Sequence, residues 1–167
     1  MLTTHHDDLQ TLLNATRPAS ILLIDPNPQA LPDAYRASHP ECRVHSLEGN
    51  LSCRLTTTGD RFDLGVVANT LEHMERRNAG ILLARLRDFA TRRFVALVPI
   101  GDDWEGQVSH WETVDLLSYG MTIMARYKLD GKPLHLYHYA IETYKTTPQW
   151  FNANHWAHPE QWKPRGS

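Results

Sequence analysis

The chain has 167 residues, of which 41% are hydrophobic and 22% charged, with a formal net charge of −2. That length forms one ordinary domain with a real core and needs no disulfide staples, and the absence of a basic stripe leaves nucleic-acid binding without electrostatic support. Two cysteines, Cys42 and Cys53, are too few for a disulfide framework; no apolar run reaches the length of a membrane span, and Met1 to Asp8 is polar without a signal-peptide core. These features predict a cytoplasmic protein with reduced thiols.

In chain order, Asp7 to Thr16 reads as a helix, because Leu9, Leu12 and Leu13 recur at helical spacing and Pro18 stops the pattern. Ile21 to Ile24 is a continuous apolar run between Pro18 and Asp25-Pro26-Asn27-Pro28, the pattern of a buried parallel strand. A helix over Gln29 to Ala37 carries Pro32 in its first turn. Strands follow at Cys42 to Leu47, Arg54 to Thr58 and Phe62 to Ala68. Asn78 to Ala90 is a periodic helix with Leu82, Leu83, Leu86 and Phe89 on one face, and Arg93 to Pro99 is another buried strand. Strand, helix and strand at this spacing require a crossover and a parallel sheet. Glu112 to Tyr119 is a short helix. Asp130-Gly131 between the strand-like runs Met121 to Lys128 and Leu134 to Tyr144 signals a closing antiparallel hairpin.

This order of elements resembles the class I S-adenosylmethionine (SAM) methyltransferases over roughly residues 20 to 145. The most specific stretch is Asp60-Arg61-Phe62-Asp63-Leu64-Gly65-Val66-Val67-Ala68-Asn69-Thr70-Leu71-Glu72-His73-Met74. It is similar to the family's fourth strand and following turn, which often read "FDLVVxxxVLEHL". The resemblance implies a Rossmann-like α/β fold: a mostly parallel sheet flanked by helices, ending in an antiparallel hairpin. It predicts an α/β domain over residues 1–145, with a Trp-rich tail, residues 146–167, packed on the same domain.

One departure from the family is plain. Its first strand runs into a loop of the form "DxGxGxG", where glycines let the backbone approach the cofactor. Here Asp25 is followed by Pro26-Asn27-Pro28-Gln29, and the prolines remove donors and add bulk. Two registers follow. Ile21 to Asp25 is either the first strand, with the glycine loop replaced, or the second, since Ile24-Asp25-Pro26-Asn27-Pro28 resembles the family's "GVDPSPEML" and would make Asp25 the ribose-binding acid. Only 20 residues lie upstream, enough for one helix, which favours the first register and gives the ribose position to Glu48.

Ligands of such sheets bind beyond the carboxyl ends of the strands. The resemblance therefore implies cofactor-binding residues Asp25, Asn27, Glu48, Asn69, Glu72 and His73, with SAM as the cofactor. Each has a plainer reading: Glu48 as an exposed turn acid, Glu72 and His73 as residues that shape the loop. Other motifs are weaker still. His135 and His138 stand three apart on a strand and point to opposite faces, and no cysteine or acid lies at a zinc-like spacing, so no metal is expected. His5 and His6 read as solvated. Trp150, Phe151, Trp156 and Trp162 in the tail either pack back on the domain or form a dimer interface.

Three functions fit this sequence. One is a divergent SAM-dependent methyltransferase with a degenerate cofactor site. The second is a non-catalytic pseudo-methyltransferase that binds a protein partner. The third is a small-ligand-binding domain without methyltransferase activity. The volume in front of Pro26 to Gln29 separates them: an open cleft favours the first or third, a plugged one the second.

Overall fold

The computed structural model describes residues 5–26, 33–47, 55 and 61–144. The predicted strand over Arg54 to Thr58, apart from Leu55, and the predicted tail lie outside the described residues, as do Asn27 and Glu48. Among the described residues no helix is long and apolar enough to cross a membrane.

Helix α1 (His5–Thr16) leads into strand β1 (Ser20–Ile24), followed by α2 (Asp33–Ser38), β2 (Arg43–Ser46) and β3 (Leu64–Val67). A 3-10 turn (Leu71–His73), α3 (Arg76–Arg85) and a π-turn (Leu86–Ala90) lead to β4 (Arg93–Pro99). Helix α4 (Thr113–Ser118), the hairpin strands β5 (Thr122–Leu129) and β6 (Lys132–Ala140), and the short helix α5 (Ile141–Tyr144) complete the described chain. The six strands lie in the order β2-β1-β3-β4-β6-β5. The first four are parallel, whereas β6 runs antiparallel to both β4 and β5. The sheet is thus mixed, with a parallel half and an antiparallel end.

Strand β1 is buried at all five residues because it lies inside the sheet, with β2 on one side and β3 on the other. Direct pairing of β1 with β3 gives Ser20–Ile24 the place of a first strand and decides between the two registers. The hairpin turns at Asp130 and Gly131, both with positive φ (51° and 79°), the geometry of a tight two-residue connection. The last strand is shorter than the sequence pattern suggests, since Ile141 starts a helical turn.

The predicted helix over Asn78 to Ala90 changes character near its end. Thr91 donates from its backbone N–H (3.1 Å) and its Oγ1 (2.9 Å) to the carbonyl of Leu86, closing a wide i to i+5 turn. That extra residue swings Phe89 out of the apolar face to 67% exposure and buries Ala90 instead. Gly65 in β3 lets this turn come close: a Cβ there would meet Phe94 Cβ and Thr91 Cγ2, each at 2.9 Å.

Two cores form, one on each face of the sheet. Leu82, Leu83, Leu86, Phe94, Trp111 and Tyr137 belong to the larger, under α3 and α4. Leu9, Leu13, Tyr35, Val66, Val95 and Leu136 form the smaller, under α1 and α2. Alternation along β4 divides Phe94, Ala96 and Val98 from Val95 and Leu97.

Candidate functional site

A cavity of about 420 Å³ opens on the α1 face, at the carboxyl edge of the parallel strands. Asp25 at the end of β1, Ala68 and Asn69 after β3, and Pro99 at the end of β4 form its rim. Its walls are Val66, Val95 and Leu97 from the sheet, Leu134 and Leu136 from β6, and Leu9 from α1. Its volume lies within the range of small-molecule sites, which combine apolar walls with a few convergent polar groups.

The turn after β3 is tied down from both sides. Ala68 N–H donates to the Ile24 carbonyl at 3.1 Å, and Thr70 Oγ1 lies within hydrogen-bond distance of the Ile24 (3.1 Å) and Ala68 (2.7 Å) carbonyls. Asn69, between them, adopts a left-handed backbone (φ 47°), a conformation that asparagine tolerates better than branched residues. Its Nδ2 donates to Asp25 Oδ1 at 3.4 Å, joining the ends of the two central strands. Asp25 is only 5% exposed.

Glu72 is 4% exposed, and its Oε2 lacks a hydrogen-bond partner. Burial pushes its carboxyl up from the ordinary glutamate range; its own N–H, His73 and the Thr70 backbone N–H pull the other way, and Asp25 adds to the rise. A buried polar atom left unpaired costs about 1–3 kcal/mol, so its place in a cavity wall has meaning. His73 is exposed and lines the same cavity.

The sequence-predicted residues Asp25, Asn69, Glu72 and His73 therefore share one cavity, while Asn27 and Glu48 are outside the described residues. Others were missed. His5 and His6, read as solvated, line the cavity; His5 is half-buried, 6.1 Å from the Tyr127 ring edge-on, and burial lowers its pKa, with His6 adding to the effect. Trp104, Glu105 and Gln107 enter from the loop after β4, where no periodicity marks them. The Trp104 Nε1–H donates to the Ile100 carbonyl at 3.1 Å. Of the cysteines, Cys42 is partly buried and its thiol is raised by that burial, the opposite of an activated nucleophile. Among the described residues no three histidine, cysteine or acidic side chains gather as metal ligands.

The architecture is that of a methyltransferase-like α/β protein. The chain belongs to the family described as "Family of unknown function (DUF6231)", which matches residues 3–165. Comparison with curated proteins gives no match. Among solved structures it is similar to TehB from Haemophilus influenzae (8% identity, TM-score 0.56, covering 81% of this chain and 62% of that one). It is also similar to the bifunctional kinase-methyltransferase WbdD (16%, TM-score 0.55, 80% and 38%). A third is the N-terminal domain of EvdMO1 in the presence of SAH and D-fucose (11%, TM-score 0.52, 80% of each chain). At these identities the likeness is one of fold.

Proposed function

We propose that this chain binds SAM at the carboxyl edge of its parallel strands and is a divergent methyltransferase. The observation that carries the reading is the cavity itself: it stands where sheets of this kind bind ligands, and it brings Asp25, Asn69, Glu72 and His73 together. The neighbouring fold of EvdMO1, determined with SAH, supports the same ligand class.

The residues present fit that cofactor in chemistry. SAM is a cation at its sulfonium and bears hydroxyl and amino donors, and this cavity offers the acids Asp25, Glu72 and Glu105, with an orphaned oxygen on Glu72. When bound, SAM supplies an electrophilic methyl group. Asp25 and Asn69 would hold it from the ends of β1 and β3, with Asn27 and Glu48 the further sequence candidates; Glu72 and His73 stand on the adjoining wall. The protein's part in such a reaction is orientation and exclusion of water rather than strong base catalysis.

The rival reading is a non-catalytic descendant that binds a protein partner, favoured by Pro26-Asn27-Pro28 where the family has glycines. Calorimetric titration with SAM and S-adenosylhomocysteine (SAH) separates the two. Micromolar binding that Asp25→Ala weakens by about tenfold, or roughly 1.4 kcal/mol, supports the methyltransferase. No heat and no thermal shift with millimolar ligand would remove it and leave the partner-binding descendant.

A further inference from the structure

Among the described residues, Glu72 Oε2 is one of two buried oxygens left unpaired in this cavity. The other is Gln107 Oε1. The backbone holds the two residues together. The carbonyl of Glu72 accepts hydrogen bonds from the N–H groups of Val108 (2.8 Å) and Ser109 (3.1 Å), so Gln107 enters immediately before this tether. Ser109 Oγ donates to the Leu71 carbonyl at 2.9 Å and accepts from Trp111 Nε1 at 3.0 Å, which fixes the loop against the packed face.

Both orphans are acceptors when Glu72 is ionised, so the partner they lack is a donor. The charge around them narrows its nature. Asp25, Glu72 and Glu105 line the cavity, and among the described residues no lysine or arginine does. Leu9, Val95, Leu97, Leu134 and Leu136 give the wall a broad aliphatic stretch. We infer that Glu72 and Gln107 form a subsite for the nitrogen of an amine carried on an apolar body. Read as the methyl acceptor, that amine rests on the function proposed above; read as a bound ligand, it stands alone.

The protonation of Glu72 agrees with this assignment. Burial raises its carboxyl because water is excluded, and an ammonium placed beside Oε2 restores the lost stabilisation of the charge. The titratable groups that share the cavity are His5 and His6 from α1, Asp25 from the end of β1, His73 beside Glu72, and Glu105 from the loop after β4. Burial lowers the pKa of His5, so that imidazole is neutral at pH 8, where the titration is run.

The experiment is calorimetric titration of the full chain at pH 8 with n-hexylamine, 1-hexanol and hexanoate, alongside SAH. Hexylamine is expected to bind about tenfold more tightly than hexanol, with hexanoate weakest. Glu72→Gln and Gln107→Leu should each bring hexylamine down by about fivefold, towards the hexanol level. Equal binding of amine and alcohol, no amine binding, or an amine preference untouched by both substitutions would overturn the subsite. Gln107 is partly exposed on a loop, so Gln107→Leu keeps the test valid if Glu72→Gln fails to fold. Amine preference without SAH binding would remove the methyltransferase reading and keep the subsite. SAH binding without amine preference would do the reverse.

Discussion

The two faces of the sheet are built to different ends. Under α3 and α4, Leu82, Leu83, Leu86, Phe94 and Trp111 fill the space so fully that none exceeds 1% exposure. Under α1, the alternate residues of the same strands, Val66, Val95, Leu97 and Leu136, border a cavity instead. Both faces draw on one set of strands, so the contrast comes from what covers them. The packed face supplies rigidity, and the other face leaves polar groups unpaired in a space where a ligand can meet them.

The sharpest test of this contrast is a matched pair of truncations. Leu83→Ala on the packed face should cost about 2–5 kcal/mol in urea unfolding, because it opens a new void. Leu97→Ala already borders a void and should cost about 1 kcal/mol. Equal costs would break the comparison. Gly65→Ala probes the close approach of the π-turn: with Phe94 and Thr91 at 2.9 Å from the new methyl, a loss of about 1–3 kcal/mol is expected in the same assay.

On the cavity face the expected signs reverse. The folded-state pKa of Glu72 is raised, so the folded protein holds that proton more tightly than the unfolded chain. The resulting stabilisation is present below the unfolded value of 4.5 and is lost as pH rises through the folded value. Glu72→Gln should therefore raise Tm at pH 8 by an amount on the order of 2 °C, and the gain should vanish near pH 4. A destabilised variant at pH 8 would place Glu72 among the groups that hold the fold. The smallest effect is expected at Asn69: replacement by glycine keeps the left-handed backbone and loses only the long bond to Asp25, so stability should fall by about 0.5 kcal/mol in urea unfolding.

Much of the scaffold was legible because burial on both faces leaves a local signature. Ile21 to Ile24 and Phe94 to Pro99 are continuous apolar runs, and Asp130-Gly131 dictates its own turn. The π-turn was not legible: Leu82, Leu83, Leu86 and Phe89 keep helical spacing, and only the two hydrogen bonds from Thr91 reveal the extra residue that expels Phe89. Of the site, the half on strand ends could be read, since topology fixes where those ends point. Asp25, Asn69, Glu72 and His73, expected there from the sequence, line one cavity. Gln107 and Glu105 lie in an aperiodic loop, and their proximity to Glu72 depends on main-chain bonds from Val108 and Ser109. His5 and His6 resemble any polar terminus until β5 and β6 are in place.

Tyr127 donates its hydroxyl hydrogen to Asp8 Oδ2, and the two residues stand 119 positions apart. That link joins the first helix to the last hairpin across the cavity, which gives the site a history during synthesis. Glu72 leaves the ribosome long before Leu136, about 3–13 seconds earlier at ordinary elongation rates. During that interval α1 lacks the anchor that Tyr127 provides. Arrival of β6 closes the wall with Leu134 and Leu136. A nascent chain halted before β6 therefore carries the acids of the candidate site without the wall that Leu134 and Leu136 supply.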